Sequence, residues 1–344
     1  MSAPSRVQTY NIPFTMNHQE SRSFAIDLTK VLAILLVAFQ HAWTMMRLTA
    51  VSPFVEGFVS CTWIGVPLFL LVSGSLQISL IRPQAPLPYY AKRFKRILPP
   101  FLLWAVVTFA LLIILGEQRI AAFIPSLLDG SINSAFWYVY LISGIFLLTP
   151  MLSAAFGSQN GRQLLRLSVI IWGAVLLLTD VLPSFALLKY FPIRMRYFGY
   201  YVCGAFIRSA MEEMSDSARR RLAPLCALAT VACWVGGALI AAGGHASLLL
   251  EAMQTVSAYA ALLSLPHSKR MTEGWMVRSV RAVSDSSYAI YLSHFLLIGG
   301  LYSMLPRTGI VPFVTAPVVV AVECAAFSLL KRWRSFPAGI IGIA

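Results

Sequence analysis

Long apolar segments recur along this 344-residue sequence, separated by short stretches that contain charged residues, glycine or proline. Each segment is close to the roughly 20 residues that an α-helix needs to cross the hydrocarbon core of a bilayer. Segments of about ten residues in which apolar and polar residues alternate, the pattern of a transmembrane β-barrel, are not what recurs here. We therefore predict an all-α polytopic transmembrane bundle with about ten spans, at residues 24–46, 61–81, 97–115, 135–155, 166–182, 190–210, 222–242, 247–265, 285–304 and 311–331.

The distribution of basic residues between the predicted spans indicates the orientation of the bundle. With the N-terminus in the cytoplasm, twenty Lys and Arg residues fall in cytoplasmic segments, six in external segments and Lys30 within the first span. Because basic residues are enriched on the cytoplasmic side, this excess predicts that both termini are cytoplasmic. The predicted domains are a cytoplasmic N-terminal segment (1–23), a membrane domain (24–331) and a cytoplasmic C-terminal tail (332–344).

Composition and charge exclude several classes of protein. Hydrophobic residues make up 58% of the sequence and charged residues only 12%, well below the level of about 25% that is typical of soluble domains. Cytoplasmic loops of a membrane protein account for the net charge of +14, so we expect no binding of nucleic acid. The five cysteines are scattered without metal-ligand spacing, and we expect neither disulfides nor a metal site.

Three polar residues lie on one face of the first predicted span. Lys30 and His41 are eleven positions apart, which stacks them about 16 Å apart along a helix, and Asp27 lies on the same side. A cation and an imidazole are costly at bilayer depth, and such residues usually face a protein interior and mark a functional site. The alternative is that Asp27 and Lys30 are interfacial anchors and that His41 only forms hydrogen bonds between helices.

A cluster of basic residues precedes the third predicted span. Arg93 and Arg96 are three residues apart, so their guanidinium groups project to one side of a helix and can bind phosphate bidentately. We expect Pro99 and Pro100 to break this juxtamembrane helix before the span begins at Phe101. The alternative is a basic cluster that is attracted only to anionic lipid headgroups.

The later predicted spans add buried polar groups. Tyr291 and His294 share one face of the ninth span, where structural hydrogen bonding is as good an explanation as catalysis. Glu323, near the middle of the tenth span, is the acidic residue that we expect to be most deeply buried. Ser73 and Gly74 in the second span are small residues of the kind that permit close helix packing.

Together, these patterns resemble those of the acyltransferase-3 family of bacterial membrane acyltransferases. That family has a basic residue, ten residues and then a histidine on its first span, which match Lys30 and His41, and an Arg-x-x-Arg pair before its third span, which matches Arg93 and Arg96. Lys30 stands where arginine is commoner, and Val31 stands where a glycine often follows. Further similarities are a Gly- and Pro-containing second span, an aromatic start of the fourth span and a Ser-Tyr-x-x-Tyr-Leu-x-His helix, at residues 65–74, 136–139 and 287–294.

The resemblance implies an enzyme of the bacterial cytoplasmic (inner) membrane that transfers an acyl group, usually acetyl, from cytosolic acyl-CoA to a hydroxyl. Acyl-CoA is then a co-substrate, no metal takes part, and the acceptor is a cell-surface, exopolysaccharide or lipid-linked sugar. We expect Arg93 and Arg96 to hold the phosphates of acyl-CoA, while its thioester arm reaches along the Lys30 face towards His41. His41 is then the general base or a transient acyl carrier, and Asp27 orients or balances Lys30.

Two further expectations concern the substrate and the alternatives. We assign Tyr291, His294 and Glu323 to substrate binding, and we leave open whether the protein is a homo-oligomer. A secondary transporter or lipid-linked glycan translocase is the alternative function, because it would also use about ten helices and buried charges. We favour the enzyme because the buried polar groups concentrate on the first span and the strongest cationic pair lies outside the bilayer.

Overall fold

The computed structural model describes residues 23–46, 52–78, 85–182, 195–244, 247–265, 274–304, 308, 310–332 and 338–343. These residues form helices, turns and short connections, without a β-strand. Most of the predicted N-terminal segment and part of the predicted C-terminal tail lie outside the described residues. The α-helices are α1 Phe24–Met46, α2 Pro53–Ser60, α3 Gly65–Gln77, α4 Pro86–Ile114, α5 Phe123–Asp129, α6 Trp137–Phe156, α7 Gly161–Val181, α8 Met195–Glu213, α9 Asp216–Ala242, α10 Leu248–Leu263, α11 Trp275–Tyr302 and α12 Val311–Arg332.

Within the described ranges, seven helical stretches are long and apolar enough to cross a membrane. Each of the ten predicted segments coincides with a helix, but α10 is short and α8 and α11 are more polar. The all-helical membrane bundle is therefore confirmed, whereas the count of ten spans and the cytoplasmic position of both termini stay predictions. The seven stretches are Phe24–Met46, Pro53–Gln77, Pro86–Ile114, Ile120–Phe156, Gly161–Val181, Asp216–Ala242 and Val311–Arg332.

Helix α1 lies at the centre of the bundle and packs against α3, α10, α11 and α12. Small residues allow this close packing, since Ala33, Ala38 and Ala42 are fully buried. A Cβ atom added to Gly65 of α3 would lie 2.9 Å from the carbonyl oxygen of Ala33, so the backbones nearly touch there. Of the polar residues of α1, Asp27, Thr29 and Gln40 are buried among the other helices, and Lys30 and His41 are half-buried.

Helix α4 is continuous, so the predicted break at Pro99 and Pro100 is wrong. Proline lacks the backbone N–H that would bond to the carbonyl four residues earlier, which usually ends or kinks a helix. Membrane helices tolerate proline where neighbouring groups satisfy the affected turn. Pro99 and Pro100 leave the carbonyls of Lys95 and Arg96 without their helical donors. The hydroxyl of Tyr288 in α11 donates a hydrogen bond of 3.0 Å to the next carbonyl, that of Ile97. The two arginines of α4 are therefore held on the same rigid helix as the span.

Two glycines allow α3 and α8 to approach closely. A Cβ atom on Gly74 would overlap the carbonyl oxygen of Tyr201, and a Cβ atom on Gly204 would overlap that of Leu71. The packing role predicted for Gly74 is confirmed. The hydroxyl of Tyr201 also shares a hydrogen bond of 2.8 Å with Thr149 of α6, so this contact joins three helices.

We predict that Gly74→Ala destabilises the protein, because its methyl group cannot fit unless the backbone of α8 moves. Overpacking of this kind costs about 1–3 kcal/mol, and the thermal unfolding midpoint in detergent should fall. Gly144→Ala in α6 is the matched control, since its Cβ atom meets nothing within 4 Å and alanine favours a helix. Equal midpoints for the two variants would contradict the close α3–α8 contact.

Candidate active site

A cavity of about 190 Å³ lies between α1, α3, α4, α6 and α11. Its polar lining includes Lys30 from α1, Arg93 and Arg96 from α4, and Asp285 and Tyr291 from α11. The structure therefore brings the basic residue of the first helix and the arginine pair to one common space. Large apolar and aromatic side chains complete the wall, among them Phe69, Tyr138, Ile142, Phe146 and Tyr288.

The two arginines occupy different depths of this cavity. Arg93 is half-buried, and its Cζ atom lies 5.5 Å from the centroid of the Tyr89 ring, which is a cation–π distance. The Nε atom of Arg93 is buried without a hydrogen-bond partner among the described residues. Arg96 is exposed and also borders a neighbouring pocket beside Lys95. Arg93 thus offers an unused donor within the protein, while Arg96 lies at the cavity mouth.

The polar start of α1 is tied to α11. Asp27 is only 2% exposed and accepts a hydrogen bond of 2.6 Å from the hydroxyl of Ser284. Lys30 follows one turn later on α1, and both Lys30 and Ser284 line the cavity. An interfacial anchor would be exposed, so the burial of Asp27 argues against that alternative. Asp27 instead holds the Lys30 end of α1 against α11.

His41 lies beside a second histidine. Its ring centroid is 5.1 Å from that of His294 in α11 and 5.5 Å from that of Phe295. His294 is fully buried, and its Nδ1 atom lies 3.0 Å from the carbonyl oxygen of Ile290. Because a carbonyl only accepts, the neutral ring carries its proton on Nδ1 and keeps Nε2 as an acceptor. That Nε2 atom has no hydrogen-bond partner among the described residues.

Tyr291 stands between the cavity and the histidine pair. Its side chain lines the cavity, and its ring centroid is 5.8 Å from that of His294. Its hydroxyl donates a hydrogen bond to the carbonyl of Ala135, and its ring contacts Tyr138 with centroids 5.3 Å apart. His41 itself is not among the cavity-lining residues. The cavity therefore includes Lys30 and Tyr291 but not His41, which is linked to Tyr291 through the ring of His294.

Glu323 of α12 is buried as expected, but it packs against a different side of α11 from the side that bears Tyr291. Its carboxyl faces the hydroxyl of Ser293, which points away from Tyr291 because the two positions are about 160° apart on a helix. One carboxyl oxygen of Glu323 is buried without a hydrogen-bond partner in the described part of the chain. No hydrogen bond or ion pair among the described residues joins Glu323 to His41 or His294. A substrate-binding role for Glu323 stays a prediction.

The sequence patterns did not predict several residues of the cavity wall. Ser73, noted only as a packing residue, lines the cavity together with Gln77 from the same helix. Asp285 also lines it, although it lies in the polar half of α11 and no motif singled it out. The described residues contain no group of three or more His, Cys, Asp or Glu side chains that could hold a metal ion.

The turn at residues 338–343 forms part of the cavity wall. It packs against α4, where the indole nitrogen of Trp104 donates a hydrogen bond of 3.3 Å to the carbonyl of Ile341. Gly342 lines the cavity and adopts a φ of +94°, a conformation that favours glycine. A Cβ atom there would lie 3.1 Å from the Tyr288 ring and 3.3 Å from Pro100.

We predict that Gly342→Ala displaces this turn, because alanine is strained at this φ and its methyl group would crowd the cavity wall. The cost should be about 1–3 kcal/mol, measured as a lower thermal midpoint together with faster proteolytic cleavage near the turn. Gly339→Ala is the control in the same turn, since its Cβ atom meets nothing within 4 Å. Indistinguishable behaviour of the two variants would show that the turn does not depend on Gly342.

The sequence profile of a family described as an acyltransferase domain matches residues 23–331, which is nearly the whole chain. The chain therefore belongs to this family, the acyltransferase-3 family. The resemblance deduced from the order of the sequence patterns is confirmed. The protein is thus a multi-helix membrane protein of an acyltransferase family.

A viral protein shows a partial similarity that agrees with this family. ORF330 of Acidianus two-tailed virus, provisionally named as an acetyltransferase, is 31% identical over 130 residues. The alignment covers 35% of this chain and 38% of the relative, so the chain matches well under half of that protein. No solved structure matches this chain significantly.

Proposed function

We propose that the protein is an integral membrane O-acyltransferase that moves an acyl group from cytosolic acyl-CoA to a sugar hydroxyl. Acetyl is the proposed acyl group, a cell-surface glycan or exopolysaccharide is the proposed acceptor, and the bacterial inner membrane is the proposed location. Membership of the acyltransferase family supports the reaction class. The observation that carries the proposal is the cavity that joins Arg93 and Arg96 to Lys30 and ends at the layer covering His41.

The charge and the apolar walls of this cavity suit the donor. Arg93 and Arg96 bind the pyrophosphate of coenzyme A, since paired guanidinium groups bind phosphate bidentately. The uncharged arm of the coenzyme then lies between the aromatic and aliphatic walls. Lys30, further inside, is placed to stabilise the negative charge that develops on the thioester carbonyl oxygen during transfer.

The chemical step is attack of the acceptor hydroxyl on the thioester carbonyl carbon. A histidine nitrogen takes the hydroxyl proton, a C–O bond forms, the C–S bond breaks, and the proton passes to the thiolate to give free coenzyme A. His41 is the proposed base, with the alternative that it carries the acyl group transiently. His294 supports the position of His41, since the two rings pack with their centroids 5.1 Å apart.

The donor reaches His41 only after Tyr291 moves. Its ring separates the cavity from the histidines, and its hydroxyl is bonded to Ala135. His41 lies about three helical turns beyond Lys30, towards the predicted external end of α1. A sugar acceptor from the outer side and a thioester from the cytosol would therefore meet at this layer.

We predict that His41→Ala lowers the rate of acyl transfer about a hundredfold or more, as loss of a general base typically does. The measurement is transfer of labelled acetyl from acetyl-CoA by membranes that contain the protein. Thr44→Ala, an exposed position one turn away on α1, is the control for membrane insertion and expression. Full activity of correctly inserted His41→Ala protein would refute the mechanism, and a wild-type chain that transfers nothing would favour the transporter alternative.

We predict that Arg93→Ala raises the KM for acetyl-CoA about tenfold or more, because it removes a charge-assisted contact to phosphate. Arg93→Lys should recover part of the loss, since it restores the charge without the guanidinium fork. Lys92→Ala removes an equal charge from an exposed neighbouring position and should leave the KM unchanged. If Lys92→Ala and Arg93→Ala have the same effect, the cluster acts through general attraction to anionic lipid.

A further inference from the structure

A second basic pocket lies beside the candidate active site. It has a volume of about 330 Å³ and is formed where α11 begins and α12 ends. Arg278 and Arg281 line it from α11, and Lys331 and Arg332 line it from α12. Its hydroxyl-bearing lining residues are Ser286, which is buried, and Ser328, which is half-buried.

The charge of this basic pocket favours an anionic ligand. Four cationic side chains face one carboxylate, that of Asp285, which pairs with Lys331 at 3.4 Å. The side chains that line the pocket thus carry four positive charges and one negative charge. Arg278 and Arg281 are three residues apart on a helix, the same spacing as the arginine pair of α4. Guanidinium groups at this spacing, with nearby hydroxyl donors, are suited to a phosphate group.

The basic pocket adjoins the cavity that we assign to the donor. Asp285 lines both spaces, so they lie on either side of one residue of α11. Arg281 and Tyr291 are ten residues apart on α11, so Arg281 in the basic pocket lies about 15 Å along the helix axis from Tyr291 in the cavity wall.

We propose that this basic pocket binds the phosphomonoester of acyl-CoA, the 3′-phosphate on its ribose. This inference rests on the proposed function, in which Arg93 and Arg96 bind the pyrophosphate of the same molecule. Coenzyme A carries phosphate at two places, and the structure offers two separate arginine pairs next to one another. Arg278 and Arg281 then select donors that carry the 3′-phosphate, and Ser286 and Ser328 supply hydroxyl donors to it.

An anionic lipid headgroup presents the same phosphate chemistry. Two features of the basic pocket favour the coenzyme over a lipid headgroup. The pocket shares Asp285 with the wall of the donor cavity, and its lining includes the buried residue Ser286. A cluster that only attracts lipid needs neither feature. The test must therefore separate a nucleotide from a lipid.

The kinetic test compares acetyl-CoA with acetyl-3′-dephospho-CoA as donors. Wild-type protein should use the dephosphorylated donor with a kcat/KM about tenfold or more lower. The Arg278→Ala/Arg281→Ala variant should lose this preference, with the rate for the dephosphorylated donor unchanged. Arg93→Ala should weaken both donors alike. The Arg220→Ala/Arg221→Ala control removes two exposed arginines at the start of α9 and should keep the wild-type preference. A preference retained by the Arg278→Ala/Arg281→Ala variant would overturn the proposal.

A binding measurement separates this inference from the proposed function. Adenosine 3′,5′-bisphosphate should bind to wild-type protein in nanodiscs of neutral phosphatidylcholine, and the Arg278→Ala/Arg281→Ala variant should bind it about tenfold or more weakly. Such binding without any acetyl transfer would refute the proposed function but leave the phosphate site standing. If binding is equal in both proteins, and only phosphatidylglycerol stabilises wild type over the variant, the pocket is a lipid site and the inference is wrong.

Discussion

A charged side chain on a central membrane helix must be solvated by the protein, because the hydrocarbon core provides no partner for it. In this protein the constraint falls on Asp27 and Lys30, at the start of the helix around which the bundle is built. The hydrogen bond from Ser284 to Asp27 meets part of this need and thereby fixes the register of α1 against α11. The cavity and the histidine contact both lie along that same pair of helices. The geometry of the candidate site thus follows from the solvation of the polar face of α1.

The helices were largely predictable because apolar length is a local property of the sequence. Every predicted segment coincides with a helix. Helix α11 is less apolar than a typical span, and its hydroxyl and imidazole groups are buried against other helices. The predicted break at Pro99 and Pro100 failed for a related reason. Proline is judged by its effect on an isolated helix, whereas here α4 packs against α6 and α11, and Tyr288 of α11 bonds to the carbonyl of Ile97 beside the affected turn.

The candidate site was only partly predictable. The spacing of Arg93 and Arg96, and the position of Lys30 on a polar helix face, were sufficient to predict that they belong to a site. The contact of His41 with His294 could not be predicted, because it depends on which helices are neighbours and at what register. The same holds for Gly342, which reaches the cavity from a turn more than two hundred residues away from the arginine pair.

The hydrogen bond between Tyr291 and Ala135 has a consequence for the membrane as a permeability barrier. A water-filled passage from the cytosol to an outer acceptor would let protons cross and would dissipate the transmembrane potential, worth about 2.3 kcal/mol per charge at 100 mV. Tyr291 places a large ring in the cavity wall while its hydroxyl is hydrogen-bonded within the protein. Under the proposed function, this ring would let a cytosolic donor and an external acceptor react without opening a proton leak across the membrane.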